Sequence, residues 1–388
     1  MSPQIQTDGR MSCDSVRGIV LDLLLCLFVA GSLPLAAQQA GGGGVTPSSN
    51  GNVAKSSTPP NESANESKPA VALKPEWMFS SDSEGNIRQF IKMGNDYAIG
   101  DRARLGVLYR QGFFHNVDSK SSIATEEVRD AGVSGEWHPN EVVKVEGMVG
   151  VSETGTTVDT GGETVPAAIV PISNVQATFT PAGDAFPIDL GFKRAIFDLS
   201  PQLVGNRVVR NDFILHPQLG FSSGWRFRQL TEIGLVEMPG QSNYRYNSES
   251  TVARQLGRNS ELYTTLSVLH YREASDAGYF SPDLAENLEG GWSTDLDRKK
   301  FSLSLDFGMG SSREREHGSA FSPWGISGHA ETDLTWRAGH GHELRASCEY
   351  YYDQSTPAVE SPGNGPWHMV ILTVSFRWAS KRRGGLHH

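Results

Sequence analysis

The sequence predicts an all-β chain: a transmembrane antiparallel β-barrel of about 14–16 strands, preceded by a signal peptide and a disordered linker. Three observations predict it. Apolar and polar residues alternate with a period of two over runs of ten residues or more. One face of each run is apolar, while the other carries charge and glycine. Aromatic residues gather near the ends of these runs. A barrel wall between lipid and an aqueous lumen requires all three.

The elements follow in chain order. Residues 1–37 read as a secretory signal: Arg17 precedes the apolar run GIVLDLLLCLFVAGSLPLAAQQA, which ends in small residues at Ala36-Ala37. Asp22 inside that run is unusual, and a single membrane anchor is the other reading. Cys13 and Cys26 would leave with the signal, so Cys348 would stand alone and no internal disulfide could form. Residues 38–74 are rich in Gly, Ser, Asn and Pro, with too few apolar groups to bury, and read as a linker.

Residues 75–378 read as the barrel and 379–388 as a short basic tail. In DRARLGVLYRQ, Ala103, Leu105, Val107 and Tyr109 oppose Arg102, Arg104 and Arg110. VVKVEGMVGV and WRFRQLTEIGLVE continue the pattern, the second placing Arg226, Arg228 and Glu232 on its polar side. In FSLSLDFGMG, Phe301, Leu303, Leu305, Phe307 and Met309 share a face. In HAETDLTWR and ELRASCEYYYD the polar faces hold Glu331, Asp333 and Arg337, then Arg345 and Glu349. The last run, MVILTVSFRW, aligns Val370, Leu372, Val374, Phe376 and Trp378 and ends on an aromatic. It resembles the C-terminal signal by which barrel-assembly machinery recognises bacterial outer-membrane proteins.

A soluble sandwich would also alternate, but its strands average about six residues. Trp225, Tyr279, Phe280, Trp292, Trp324, Trp367 and Trp378 suit interfacial girdles. At about ten residues per strand, the stretch from 85 to 378 holds roughly 14 to 16 strands, enough to enclose water. No second apolar run of about 18 residues allows a helical span.

Several function classes fall away. The formal charge is −10 and the pI near 5.6, which argues against a nucleic-acid partner. No phosphate-cradling glycine loop is present. His270 and Ser267 lie on opposite faces of one strand, so they do not make a nucleophile and base. His340 and His342 in GHGH fit a glycine-rich hairpin turn better than a metal site. The acids on the polar faces alternate with arginines, as in a lumen charge network and unlike a glycosidase pair. No catalytic residue, metal or cofactor is expected.

One short motif adds a resemblance. GYFSPD, residues 278–283, resembles the Gly-Tyr-Phe-Ser-Pro-Gln segment in the C-terminal barrel of bacterial cellulose synthase operon protein C, with Asp283 in the last position. The likeness extends as a looser pattern over about residues 186–378. That family's long tetratricopeptide scaffold has no counterpart here, since no 34-residue helical repeat is read in this sequence. The resemblance implies a related exopolysaccharide export porin in the bacterial outer membrane, with secreted polysaccharide and membrane lipid as partners and a separate periplasmic scaffold. It implies passive conduction, with Tyr279 and Phe280 as candidate glycan contacts. Arg102, Arg104, Arg110, Arg226, Arg228, Glu232, Glu331, Asp333, Arg337, Arg345 and Glu349 are the candidate pore-lining residues. A general diffusion or uptake porin without polymer specificity is the alternative.

Overall fold

A computed structural model describes residues 71–379 apart from 118–122, 159–161, 163, 182–186, 222–223, 276–278, 340–341 and 355–366. The signal, most of the linker and the tail beyond Ala379 therefore lie outside the described residues. The strands are β1 (Val71–Asp82), β2 (Asn86–Ile99), β3 (Ala103–Asn116), β4 (Thr125–Trp137), β5 (Val143–Thr154), β6 (Thr157–Val158), β7 (Thr164–Val165), β8 (Ala168–Phe179) and β9 (Ile188–Ile196). A one-turn helix α1 (Pro201–Gly205) follows, then β10 (Val209–Gly220), β11 (Trp225–Met238), β12 (Gln241–Leu256) and β13 (Ser260–Tyr271). The chain ends with β14 (Leu284–Asp297), β15 (Phe301–Arg315), β16 (Gly325–Gly339), β17 (His342–Asp353) and β18 (Trp367–Ala379).

Among the described residues, sixteen strands close into an antiparallel barrel, each paired with its chain neighbour, and β1 against β18 seals it. The small β6–β7 ladder stands apart in the β5–β8 connection. Closure leaves no sheet edge, which a wall in hydrocarbon cannot have.

The first strand corrects the linker boundary, because Val71–Lys74 already belong to β1. Pro75 hid the strand from a reading by pattern. Its missing donor is accommodated where the ladder to β18 skips Lys74 and Pro75. Pro217 is handled alike, at a gap in the β10–β11 ladder, and Pro171 lies above the point where β8 starts to pair with β9.

The outward positions form the apolar belt. Ile91, Met93, Leu105, Val107, Val149, Leu190, Leu266, Phe307 and Met309 are all exposed there. At one end the exposed rings of Tyr97, Trp137, Phe179, Trp225, Phe301, Trp336 and Trp378 make a girdle. That end also holds both ends of the barrel sequence and short connections such as 100–102, 257–259 and 298–300, as periplasmic turns do. The opposite, extracellular end carries the longer connections 155–167, 197–208, 272–283 and 354–366. Two of the expected girdle aromatics are elsewhere. Trp367 points inward and is 1% exposed, and Tyr279 is buried inside the mouth. For Trp367 the parity with Met369 and Ile371, opposite to Val370 and Leu372, is the reason.

Candidate functional site

The inner wall is a mesh of paired charges. On β3, Arg104 lies 3.7 Å from Asp96, while Arg110 reaches Asp130 of β4 at 2.5 Å and Asp198 at 2.6 Å. On β11, Arg226 and Arg228 both face Glu261, at 3.6 and 2.7 Å. Glu232, 3% exposed, accepts from Arg245 Nη1 at 2.8 Å and Asn247 Nδ2 at 3.1 Å. Arg245 Nη1 also lies 3.3 Å from Asp212, which accepts from Arg210 at 2.7 Å. Across β16 and β17, Arg345 donates to both oxygens of Asp333 at 2.9 Å, Arg337 donates to Asp297 at 2.9 Å, and Tyr351 donates to Glu349 at 3.0 Å.

Strand parity with these buried groups turns the side chains inward, and Glu331 lies between Asp306 and Glu349 in the ladder. Arg102 differs. It sits in the turn 100–102, after Gly100 at φ +66°, and donates to the Pro139 carbonyl at 3.1 Å on the periplasmic rim. The alternation that groups Arg102 with Arg104 and Arg110 runs past the start of β3 at Ala103, since a turn residue can continue an alternation by chance.

Other lumen residues went unread. In β2, Arg88, Lys92 and Asp96 alternate with Gln89, Ile91 and Met93, a signal present in NIRQFIKMGNDYAI. His329 is held between Glu289 at 2.9 Å and Asp306 at 3.2 Å, with the Tyr263 hydroxyl donating to Asp306. Asp306, Glu331 and Glu349 are successive ladder partners, and exposed Glu249 faces the lumen from β12. Like charges opposite one another oppose pairing, so this wall concentrates negative potential. At the periplasmic end a cavity of about 400 Å³ is lined by Lys74, Lys92, Arg104, Arg345, Arg377 and facing acids.

The extracellular mouth is different in character. The β9–β10 hairpin bends inward, because β9 pairs with β8 only from Arg194 downward, and its tip, residues 197–208, crosses the lumen. Ser200 caps α1 by accepting from the Leu203 N–H, and Pro201 opens the helix. On one side Phe197, Leu199, Leu203 and Val208 pack against Val236 of β11, Tyr271 of β13 and Tyr279. On the other, Val204, Ile196 and Val209 pack with Phe90, Phe114 and Val128 of β2, β3 and β4. Burial of such side chains is worth at most about 1.5–3 kcal/mol each. A Cβ on Gly205 would clash with the Ile123 side chain, so the helix lies tight against Ile123.

Charge reinforces the packing. Arg110 stacks over Phe90 at 4.7 Å and Arg210 over Phe197 at 5.0 Å. Burial pushes the Asp198 carboxyl up, but Arg110, Lys193 and Arg88 together outweigh this and hold the group below its usual value.

The GYFSPD segment closes over this plug. The Tyr279 ring lies 5.7 Å from Phe197 and 5.4 Å from Tyr271, and its hydroxyl accepts from Asn243 Nδ2 at 3.2 Å. At 6% exposure, its face is covered by protein. Phe280 is half-buried, and Gly278 lies outside the described residues. The Pro282 carbonyl accepts from the Tyr271 N–H at 3.0 Å, and Asp283 pairs with Arg315 at 2.8 Å. A stacking role for Tyr279 therefore requires the plug to move first. His270 and Ser267 point to opposite sides, with His270 against Asp283; His342 meets Trp378 edge-on at 5.2 Å, and His340 is outside the described residues.

No protein-family model matches the sequence, and no curated protein matches it. A solved structure described as a bacterial polysaccharide outer membrane secretin is similar, with a TM-score of 0.59 and 11% identity over 81% of this chain and 100% of that one. The chain folds as a bacterial outer-membrane β-barrel. The CymD monoaromatic hydrocarbon channel gives a TM-score of 0.47 at 6% identity, over 82% of this chain and 90% of that one. OccK11 (OpdR) of Pseudomonas aeruginosa gives 0.40 at 8%, over 80% and 95%.

Proposed function

We propose that this barrel is a passive channel that conducts a glycan chain from the periplasm to the exterior. The observation that carries the reading is the inner wall: strand after strand presents charges already paired with one another around a hydrated lumen. Paired groups such as Arg345–Asp333 and Arg228–Glu261 offer weak, exchangeable hydrogen bonds to hydroxyls, and tight binding would stall a moving polymer. Support also comes from the GYFSPD resemblance and from likeness over its full length to a barrel described as a polysaccharide secretin. The activity involves no cofactor and no bond-making step. A separate periplasmic scaffold would feed the polymer into the vestibule lined by Lys74, Lys92 and Arg377. Phe280 would meet the chain at the mouth, and Tyr279 only after the plug has withdrawn.

The test compares surface glycan with periplasmic glycan in cells with and without the barrel, alongside uptake of small hydrophilic solutes. Export lost on deletion, with glycan retained in the periplasm, supports the reading. Unchanged export together with reduced solute uptake assigns the barrel as a general diffusion porin instead.

A further inference from the structure

We infer that residues 197–208 are the gate of this channel, a hinged segment that blocks the extracellular mouth here and swings out for passage, with Arg110 as its latch. The inference rests on the channel reading. Three observations carry it. The segment bridges opposite walls, touching β2, β3 and β4 on one side and β11 and β13 on the other. It does so without joining any wall ladder: its backbone continuity is with its own hairpin alone, through Ile196–Val209 and the Phe197 N–H to Val208 carbonyl bond. Among the described residues its polar ties include Asp198 to Arg110 and the Asp198 carbonyl to Arg88 on the facing strands, and Arg207 to the Pro166 carbonyl in the neighbouring β5–β8 connection.

Withdrawal would therefore break side-chain contacts and leave every barrel strand paired, as a unit of low local stability requires. Arg88 would lose the Asp198 carbonyl and keep the Ser80 hydroxyl at 2.7 Å. Arg110 keeps Asp130 at 2.5 Å when Asp198 leaves for water. Arg207, at φ +54°, ends α1 in the left-handed conformation through bonds internal to the segment, Arg207 N–H to the Val204 carbonyl and Val208 N–H to the Leu203 carbonyl, so the tip would move as one piece. Tyr279 is a positioning residue: its ring backs Phe197 and holds the closed arrangement.

The experiment is planar-bilayer conductance of purified, heat-modifiable full-length barrels. Replacing residues 198–207 by a short Gly-Ser link should raise single-channel conductance about threefold or more. Asp198→Asn and Tyr279→Ala, which leave the chain length intact, should raise the time spent open, and Asp198→Glu should not. Tyr279→Ala keeps the test decisive if the shortened loop prevents assembly. Wild-type conductance already equal to that of the assembled variants overturns the gate. Silence of wild type and all assembled variants toward both ions and oligosaccharide overturns the channel reading itself.

Discussion

Arg245 has no exposed side-chain surface and faces Glu232 and Asp212, so its charge is affordable only while both carboxylates remain in place. Arg245→Leu would leave the two buried acids sharing Arg210 and should destabilise the barrel by about 3–5 kcal/mol, read from the urea midpoint of heat-modifiable protein. Arg226→Ala, at a side chain 51% exposed to the lumen, should change the same midpoint by less than about 1 kcal/mol. Asp198 sets a pH dependence whose sign follows from its depressed carboxyl. The latch is fully present above the usual value of 3.8 and is lost as pH falls through the lower value in the folded state. Proteolysis of the 197–208 segment should thus stay slow at neutral pH and accelerate only in acid below 3.8, and Asp198→Asn should abolish that step.

A strand is the next scale, and β15 tests its two faces. Leu305 points to lipid, and Ser304, its neighbour, points inward opposite Asp333 and Asp295. Leu305→Arg should cost about 2–4 kcal/mol near mid-bilayer, whereas Ser304→Arg enters a wall rich in acids and should be tolerated. Equal loss of heat-modifiable barrel in the two variants would refute this face assignment. The β9–β10 hairpin obeys a different rule from the other strands. Its tip carries apolar residues on both sides, so its faces are settled by what lies across the lumen and not by lipid.

For the molecule as a whole, charge is distributed unevenly around the lumen. From β12 to β17 the inner face carries Glu249, Glu289, Asp306, Glu331 and Glu349, while much of the compensating charge is on β1 to β3. Such a wall focuses cations. An open barrel should therefore show a zero-current potential favouring potassium over chloride in a salt gradient. Glu249→Gln with Glu331→Gln should move that potential toward zero, and an unchanged value would mean that selectivity is set elsewhere.

Alternation alone determined the wall. A period of two is local, so Leu305 and Ser304, or Arg345 and Leu344, declare their faces to anyone reading a few residues at a time. Closure of the barrel and the inward side of each strand follow from that pattern and from strand length. Parity even held the correct side for Trp367, although grouping it by residue type placed it in a girdle. Tertiary structure alone decided the mouth. Arg110 and Asp198 are separated by 88 positions, and Tyr279 finds Phe197 only because the barrel brings β13 and the β9–β10 hairpin together. Nothing periodic marks such pairs: their geometry is a property of the closed ring, where residues far apart in the chain become opposite walls of one narrow space.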